Sequence, residues 1–309
     1  MADFRFGVQL SKAASAAAWR DTARRIEGLG YSTLFIPDHF EEQYGPLVAL
    51  TVAAEATTTL KIGSLVFGND YRHPVVLAKE VATLDLFSEG RVEFGLGAGW
   101  MASDYEQAGI PYERPGLRIT TMAESLAVMK SLWTTGEATF AGEHYQVSGA
   151  TGFPTPVQRP HPPIIIGGGG QRVLGIAARE ADIVGVNPNL AAGRIGAEVL
   201  ETTTAEYFHQ RVEWVREAAG ARFDQLELQC LTFFVQIVPN REEATAQLAS
   251  MMSVTSEQIN GSPIALIGTT DQIIEVLQER RESFGFSYVV VHEAELEAFA
   301  PVVAALAGT

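Results

Sequence analysis

The segment Pro156 to Asn189, PVQRPHPPIIIGGGGQRVLGIAAREADIVGVNPN, restricts the chain to few folds. Pro163 to Ile166 is a short, wholly apolar run, the pattern of a strand buried on both faces of a parallel sheet. Gly167, Gly168, Gly169 and Gly170 follow it. Gln171 to Glu180 then carries Val173, Leu174, Ile176 and Ala177 at helical spacing, and Asp182 to Val186 reads as the next strand. Four successive glycines suit neither helix nor strand, so some feature requires backbone free of side chains. Bare N–H groups at a helix start favour an anion, because the unpaired donors and the helix dipole act together. Arg172, in the first turn, is placed to add a charged fork to a phosphate. The plainer alternatives are a flexible loop or a tight turn that needs positive φ. The turn is not a P-loop, since no Gly-Lys-Ser/Thr follows. It also departs from G-x-G-x-x-G, because Arg172 stands in the third glycine's place.

The rest of the chain repeats this strand–helix alternation. Strands are expected at Phe4–Val8, Thr33–Ile36, Leu60–Val66, Arg91–Leu96, Pro163–Ile166, Asp182–Val186, Leu226–Val238 and Phe286–Val291. Helices are expected at Ala16–Leu29, Leu47–Thr57, Pro74–Phe87, Leu117–Trp133, Gln171–Glu180, Thr202–Ala219, from about Arg241, at Thr270–Ser283 and at Leu296–Leu306. Gly261–Thr269 reads as a loop with an apolar centre. Eight strands alternating with helices imply parallel βαβ units. In 309 residues they predict an α/β fold, a single (β/α)8 TIM-barrel domain over residues 1–309. A hairpin-like excursion over Thr134–Pro162 falls between strands four and five. A doubly wound open sheet is the alternative, but no midpoint linker or change of composition marks two halves.

Composition narrows the function. A net charge of −15 argues against nucleic acid or an anionic membrane as partner. No apolar stretch reaches the ~20 residues of a membrane span. Cys230 is the single cysteine, which excludes an internal disulfide and a thiolate metal site. The N-terminus lacks a signal-peptide pattern, so the expected compartment is the cytoplasm. The six histidines show no H-E-x-x-H spacing and no G-x-S-x-G elbow occurs, so neither a metal site nor a serine hydrolase is expected.

In a barrel of this kind the site lies at the carboxyl ends of the strands. Those positions hold Asp38 and His39, Ser64 to Asn69, Gly97 to Trp100, Gly167 to Arg172, Asn187, and His292 with Glu293. His39 is the side chain among them whose ordinary pKa suits proton transfer near neutrality. Its bland alternative is a loop histidine satisfied by hydrogen bonds, beside Asp38 as a helix cap. Trp100 and Phe40 read as core residues before they read as walls for a flat ligand. Gly97 and Gly99 imply a close approach of ligand or neighbouring backbone to strand four.

IPDHF, Arg72-His73-Pro74 with VVLAKEVATLDLFSEGRVEFGLGAGW, and PPIIIGGGG with AAREADIVGVNP together resemble the bacterial-luciferase-like flavin and deazaflavin oxidoreductases, over essentially the whole chain. The wording around Gly142–Val147 and Gly152–Pro156 is most similar to the F420-dependent branch. The resemblance implies a (β/α)8 barrel that binds coenzyme F420, or alternatively FMN. The phosphate would rest on Gly168 to Arg172, Gln171 included, and the ring near His39, Ser64, Leu65 and Gly97. A non-proline cis peptide is implied at Ser64–Leu65. The implied activity is hydride transfer between F420 and a small organic substrate, with His39 moving the proton. The alternatives are an FMN-dependent two-component monooxygenase and a non-catalytic flavin or deazaflavin carrier. A homodimer is implied, and a partner enzyme that reduces the F420 or flavin. The charged tail of F420 would need a basic rim, for which Arg159, His161 and Arg172 lie closest in sequence. The sugar-phosphate dehydrogenase branch carries an acidic residue where this chain has Trp100, so that branch's substrate does not carry over.

Overall fold

The computed structural model describes residues 2–309. Eight parallel strands close into a barrel: β1 Arg5–Gln9, β2 Thr33–Ile36, β3 Lys61–Ser64, β4 Val92–Gly97, β5 Ile164–Gly168, β6 Ile183–Val186, β7 Glu227–Leu231 and β8 Phe286–His292. Each pairs with its neighbours in sequence. β1 pairs with β8, Gly7 opposite Val290, and Ile62 of β3 opposite Val92 of β4 completes the ring.

The strands are apolar on both sides because alternate residues face different cores. Phe35, Ile165, Ile183, Tyr288 and Val290 fill the barrel. Their neighbours Leu34, Ile36, Ile164, Ile166, Val184, Val289 and Val291 pack outward against the helices. The amino-terminal end is closed by charge. Glu93, 1% exposed, accepts from Arg5, from Lys61 at 3.2 Å and from the Tyr288 hydroxyl at 2.8 Å. Arg5 also pairs with Glu227 and lies over the Tyr288 ring, 3.7 Å from its centroid. Burial works against the Glu93 carboxylate, but Arg5 and Lys61 hold its pKa below the usual value. The polar groups of strand starts therefore plug one end and leave the other open.

Most elements fall where the periodicity places them, including the helix Gln171–Glu180 and the hairpin of Glu137–Ala141 with Gln146–Thr151. Three differ. A short helix, Ala102–Ala108, follows β4. The apolar run Leu226–Val238 divides: β7 stays in the barrel, while Phe234–Ile237 leaves it and pairs in parallel with Ala265–Gly268. The latter strand lies within the stretch read as a loop, since four apolar residues between Pro263 and Gly268 show no period by which to identify a strand. The helix expected from Thr202 starts at Ala205, with the Thr204 hydroxyl accepting from Tyr207 N–H. No helix among the described residues is long and apolar enough to cross a membrane.

Candidate active site

A cavity of about 410 Å³ opens at the carboxyl ends of the strands. Its lining includes Asp38 and His39 after β2, Leu65 to Gly68 after β3, Gly97 to Trp100 after β4, Gly167 to Gly170 after β5 and Asn187 after β6. Gln9 and Gln229 come from β1 and β7 themselves.

His39 is held from behind. Its Nδ1 lies 2.6 Å from Oδ2 of Asp104, on the short helix after β4. Asp104 is wholly buried, and also accepts from Tyr71 Oη at 3.1 Å and from the Phe40 N–H at 3.1 Å. Burial and the Asp104 charge push the Tyr71 phenol well above its ordinary pKa, so it remains a donor. With Nδ1 engaged, Nε2 is the ring nitrogen left for a ligand. The Trp100 ring meets His39 edge-on at 5.6 Å. Asp38 is held separately, accepting from the Gly68 N–H at 3.0 Å and pairing with Arg72.

The glycine turn has two kinds of glycine. A Cβ on Gly169 would stand 2.2 Å from the Pro188 carbonyl oxygen, and one on Gly168 2.3 Å from Val173 Cγ1. Packing of the turn on the β6 loop and on its own helix requires these two. Gly170 has open space around it and an extended backbone, φ −105°. None of the four has positive φ, so they do not serve a left-handed turn. The first bond of the helix runs from Leu174 N–H to the Gly170 carbonyl. The N–H groups of Gln171, Arg172 and Val173 thus have no intrahelical partner, and no side chain caps them. A cradle of bare donors that opens on the cavity at an uncrowded Gly170 fits an anionic group such as a phosphate.

Some expected residues lie elsewhere. The Arg172 guanidinium bonds the Gly116 carbonyl at 2.5 Å and Thr120 Oγ1 at 2.7 Å, on the helix Pro115–Thr135, and Arg172 is not part of the cavity lining. Gln171 is exposed, also outside the lining. Ser64 is buried and spends its hydroxyl on the Ile36 carbonyl at 2.9 Å. The cis peptide is one residue later than implied, at Leu65–Val66. Arg159 and His161 precede β5 whereas the turn follows it, and Gln158 beside them bonds Asp85 and the Val92 carbonyl at the start of β4. That places them at the closed end, so no basic rim forms from them. His292 and Glu293 are not part of the lining, and Trp100 and Phe40 are not core residues: Trp100 lines the cavity and Phe40 is 44% exposed. The space freed by Gly97 goes to Val66, whose Cγ2 would be 2.5 Å from a Cβ there.

Other site residues were not legible. Asp104 is 65 positions from His39, and no local pattern joins them. Arg211, 2% exposed, reaches from the helix Ala205–Ala219 to the carbonyl of Gly169 at 3.0 Å and of Thr202 at 3.2 Å. It braces the glycine turn from behind, a role the sequence reading gave to no residue. Arg118 braces the β4 loop through the Ala98 and Gly99 carbonyls. Among the described residues no cluster of three or more metal-ligating side chains occurs.

Comparison with known proteins agrees with this architecture. An F420-dependent tetrahydromethanopterin reductase from Methanopyrus kandleri superposes with a TM-score of 0.80, at 20% identity and over 99% of both chains. An FMNH2-dependent dimethylsulfone monooxygenase of Pseudomonas putida is 26% identical over 267 residues, 82% of this chain and 69% of its own length. An F420-dependent glucose-6-phosphate dehydrogenase of Amycolatopsis mediterranei is 30% identical over 168 residues, 52% of this chain and 50% of its own. A mycobacterial relative is matched over 64% of its length. The model of the luciferase-like monooxygenase family matches residues 1–263, and with the closed barrel and its open carboxyl end the chain belongs to that family.

Proposed function

We propose that this chain is an F420-dependent oxidoreductase acting on a small organic substrate. One observation carries the reading: a cradle of bare N–H groups and a histidine backed by a buried carboxylate open on one cavity. The donors of Gln171 to Val173 would hold the phosphate, and the residues after β2 to β4 would border the ring. Bound F420 supplies or takes up the hydride. His39 then gives or takes the accompanying proton at Nε2, while Asp104 holds Nδ1 and fixes the ring's orientation. The apolar lining keeps water from the reacting face.

A second reading, an FMN-dependent monooxygenase fed by a partner reductase, is favoured by the Pseudomonas relative, which covers 82% of the chain against 52% for the Amycolatopsis enzyme. Titration of the protein with F420 and with FMN tests the two. Tighter binding of F420 and turnover without oxygen consumption are expected. Tighter FMN binding, with oxygen uptake on addition of reduced FMN, would replace the first reading by the second.

The proposal includes a homodimer working in the cytoplasm. Val48, Val76 and Phe87 are 75%, 51% and 60% exposed on the packed helices Pro46–Ala56 and Pro74–Phe87, an apolar surface suited to a second copy.

A further inference from the structure

The cavity has two chemically different walls. The one after β2 to β5 holds His39, the glycine turn and Asp38. The opposite wall, from the stretch after β6 and the end of β7, presents Leu190, Val199, Leu200, Leu231, Phe234 and Ile264. None of these carries charge or a polar side-chain atom. The described lining contains no lysine and one arginine, Arg118, whose guanidinium is engaged with the carbonyls of Ala98, Gly99 and Glu113. Arg72 is held by Asp38, and Arg211 lies behind the glycine turn with Nε and Nη1 on the Gly169 and Thr202 carbonyls. A second anion entering this half would be desolvated without a counter-charge, against a net charge of −15.

Two polar side chains of this wall are spent within the protein, Asn189 Oδ1 on the Ala191 N–H and Thr203 Oγ1 on the Leu200 carbonyl, and a third differs from them. Gln229 is 1% exposed, and its Nε2 is buried with no hydrogen-bond partner. The barrel therefore carries an amide donor below the cavity that nothing in the protein satisfies. Such a group fits an acceptor oxygen on a ligand.

We infer that the wall between Leu190 and Ile264 binds a neutral, largely hydrocarbon substrate with a single carbonyl or hydroxyl oxygen, which accepts from Gln229 Nε2, and that sugar phosphates are rejected. This substrate class rests on the functional reading above, in which the opposite wall takes the cofactor. It differs from what the name of the Amycolatopsis enzyme specifies, although the two chains are 30% identical over the matched stretch. The difference lies in the lining: a phosphorylated substrate needs a cation within reach, and the wall between Leu190 and Ile264 presents none.

The test is calorimetric titration of the protein, alone and saturated with F420 or FMN, with 2-octanone, octanoate and glucose 6-phosphate. The ketone should bind at least tenfold more tightly than octanoate, and glucose 6-phosphate should not bind. Gln229→Leu, close in volume, should weaken the ketone about tenfold, equivalent to ~1.4 kcal/mol, and leave cofactor affinity within threefold. Leu231→Arg should narrow or reverse the preference for ketone over octanoate. Octanoate or glucose 6-phosphate binding as tightly as the ketone would overturn the inference, as would a Gln229→Leu protein that binds the ketone unchanged. Cofactor binding without ketone binding sinks the substrate class alone. Ketone binding that depends on Gln229, with neither cofactor bound, supports the apolar site and sinks the functional reading instead.

Discussion

Nδ1 of His39, on the loop after β2, and Oδ2 of Asp104, on the short helix after β4, lie 2.6 Å apart because β2 and β4 flank β3 in the closed barrel. The carboxylate is buried and keeps two further donors, Tyr71 Oη and the Phe40 N–H. It is therefore satisfied, and it engages Nδ1 of a histidine that lines the cavity. Asp104→Asn places an amide donor where Oδ2 now accepts, which disturbs the hold on Nδ1. Turnover should fall by about 10²–10⁴-fold, with cofactor affinity within threefold. Single-turnover kinetics beside a binding titration checks this, and an unchanged rate would mean the pair is structural.

Gly170 separates packing from binding at the glycine turn. A side chain there meets nothing within 4 Å, and its backbone is extended, as N-cap residues are. Gly170→Asp should therefore keep the fold or raise stability by about 0.5 kcal/mol. The same carboxylate occupies the anion's place and repels it, so cofactor binding should be lost. Thermal melting and cofactor titration of one preparation read both effects. Gly169→Asp is a poorer probe, because its Cβ would strike the Pro188 carbonyl and unsettle the turn itself.

Arg211 should matter more to cofactor binding than Arg172, the arginine that the linear sequence points to. Arg172→Ala frees the Gly116 carbonyl and Thr120 at the surface and should change cofactor affinity by less than about threefold. Arg211→Ala removes a buried bond to the Gly169 carbonyl and should weaken affinity about tenfold by loosening the cradle. The opposite ranking in an equilibrium titration would return Arg172 to the site.

Glu27 gives a pH signature outside the cavity. Burial opposes its charge, but the N–H groups of Thr59, Leu60 and Thr58 and the Thr59 hydroxyl outweigh that and lower its pKa to about 2. A group depressed on folding stabilises the native state above its unfolded pKa of 4.5, and that contribution is lost as pH falls toward 2. Glu27→Gln should thus melt below the parent protein at pH 7, with the gap closing between about pH 4.5 and 2. A gap independent of pH would assign the effect to lost hydrogen bonds alone.

The exposed apolar residues on Pro46–Ala56 and Pro74–Phe87 predict association. Light scattering at micromolar concentration should give twice the 33.4 kDa of one chain. Val48→Lys with Phe87→Glu should return it to a monomer with its melting temperature nearly unchanged, since neither side chain contributes to the core. A 33.4 kDa parent protein refutes the pairing.

The alternation of apolar strands with amphipathic helices determined the barrel without reference to any distant contact. Periodicity is a local property, and eight parallel strands in 309 residues close in essentially one way. The placement of His39, Asp38 and Gly167 to Gly170 at one end followed from the same topology, because strand direction assigns every strand terminus to a face. Side-chain direction did not follow. Arg172 begins the right helix but turns to Gly116, and Arg211 arrives from a helix more than thirty residues later to hold the turn. Asp104 became the partner of His39 because the short helix after β4 packs beside the loop after β2. Arg159 and His161 were near the turn in sequence but lie at the other end of β5, a five-residue strand that spans ~17 Å. Gly168 and Gly169 read as ligand space, and the structure gives that space to Val173 and Pro188. Proximity along the chain orders elements around the barrel, whereas hydrogen-bonding partners and free volume are set by which elements pack in three dimensions.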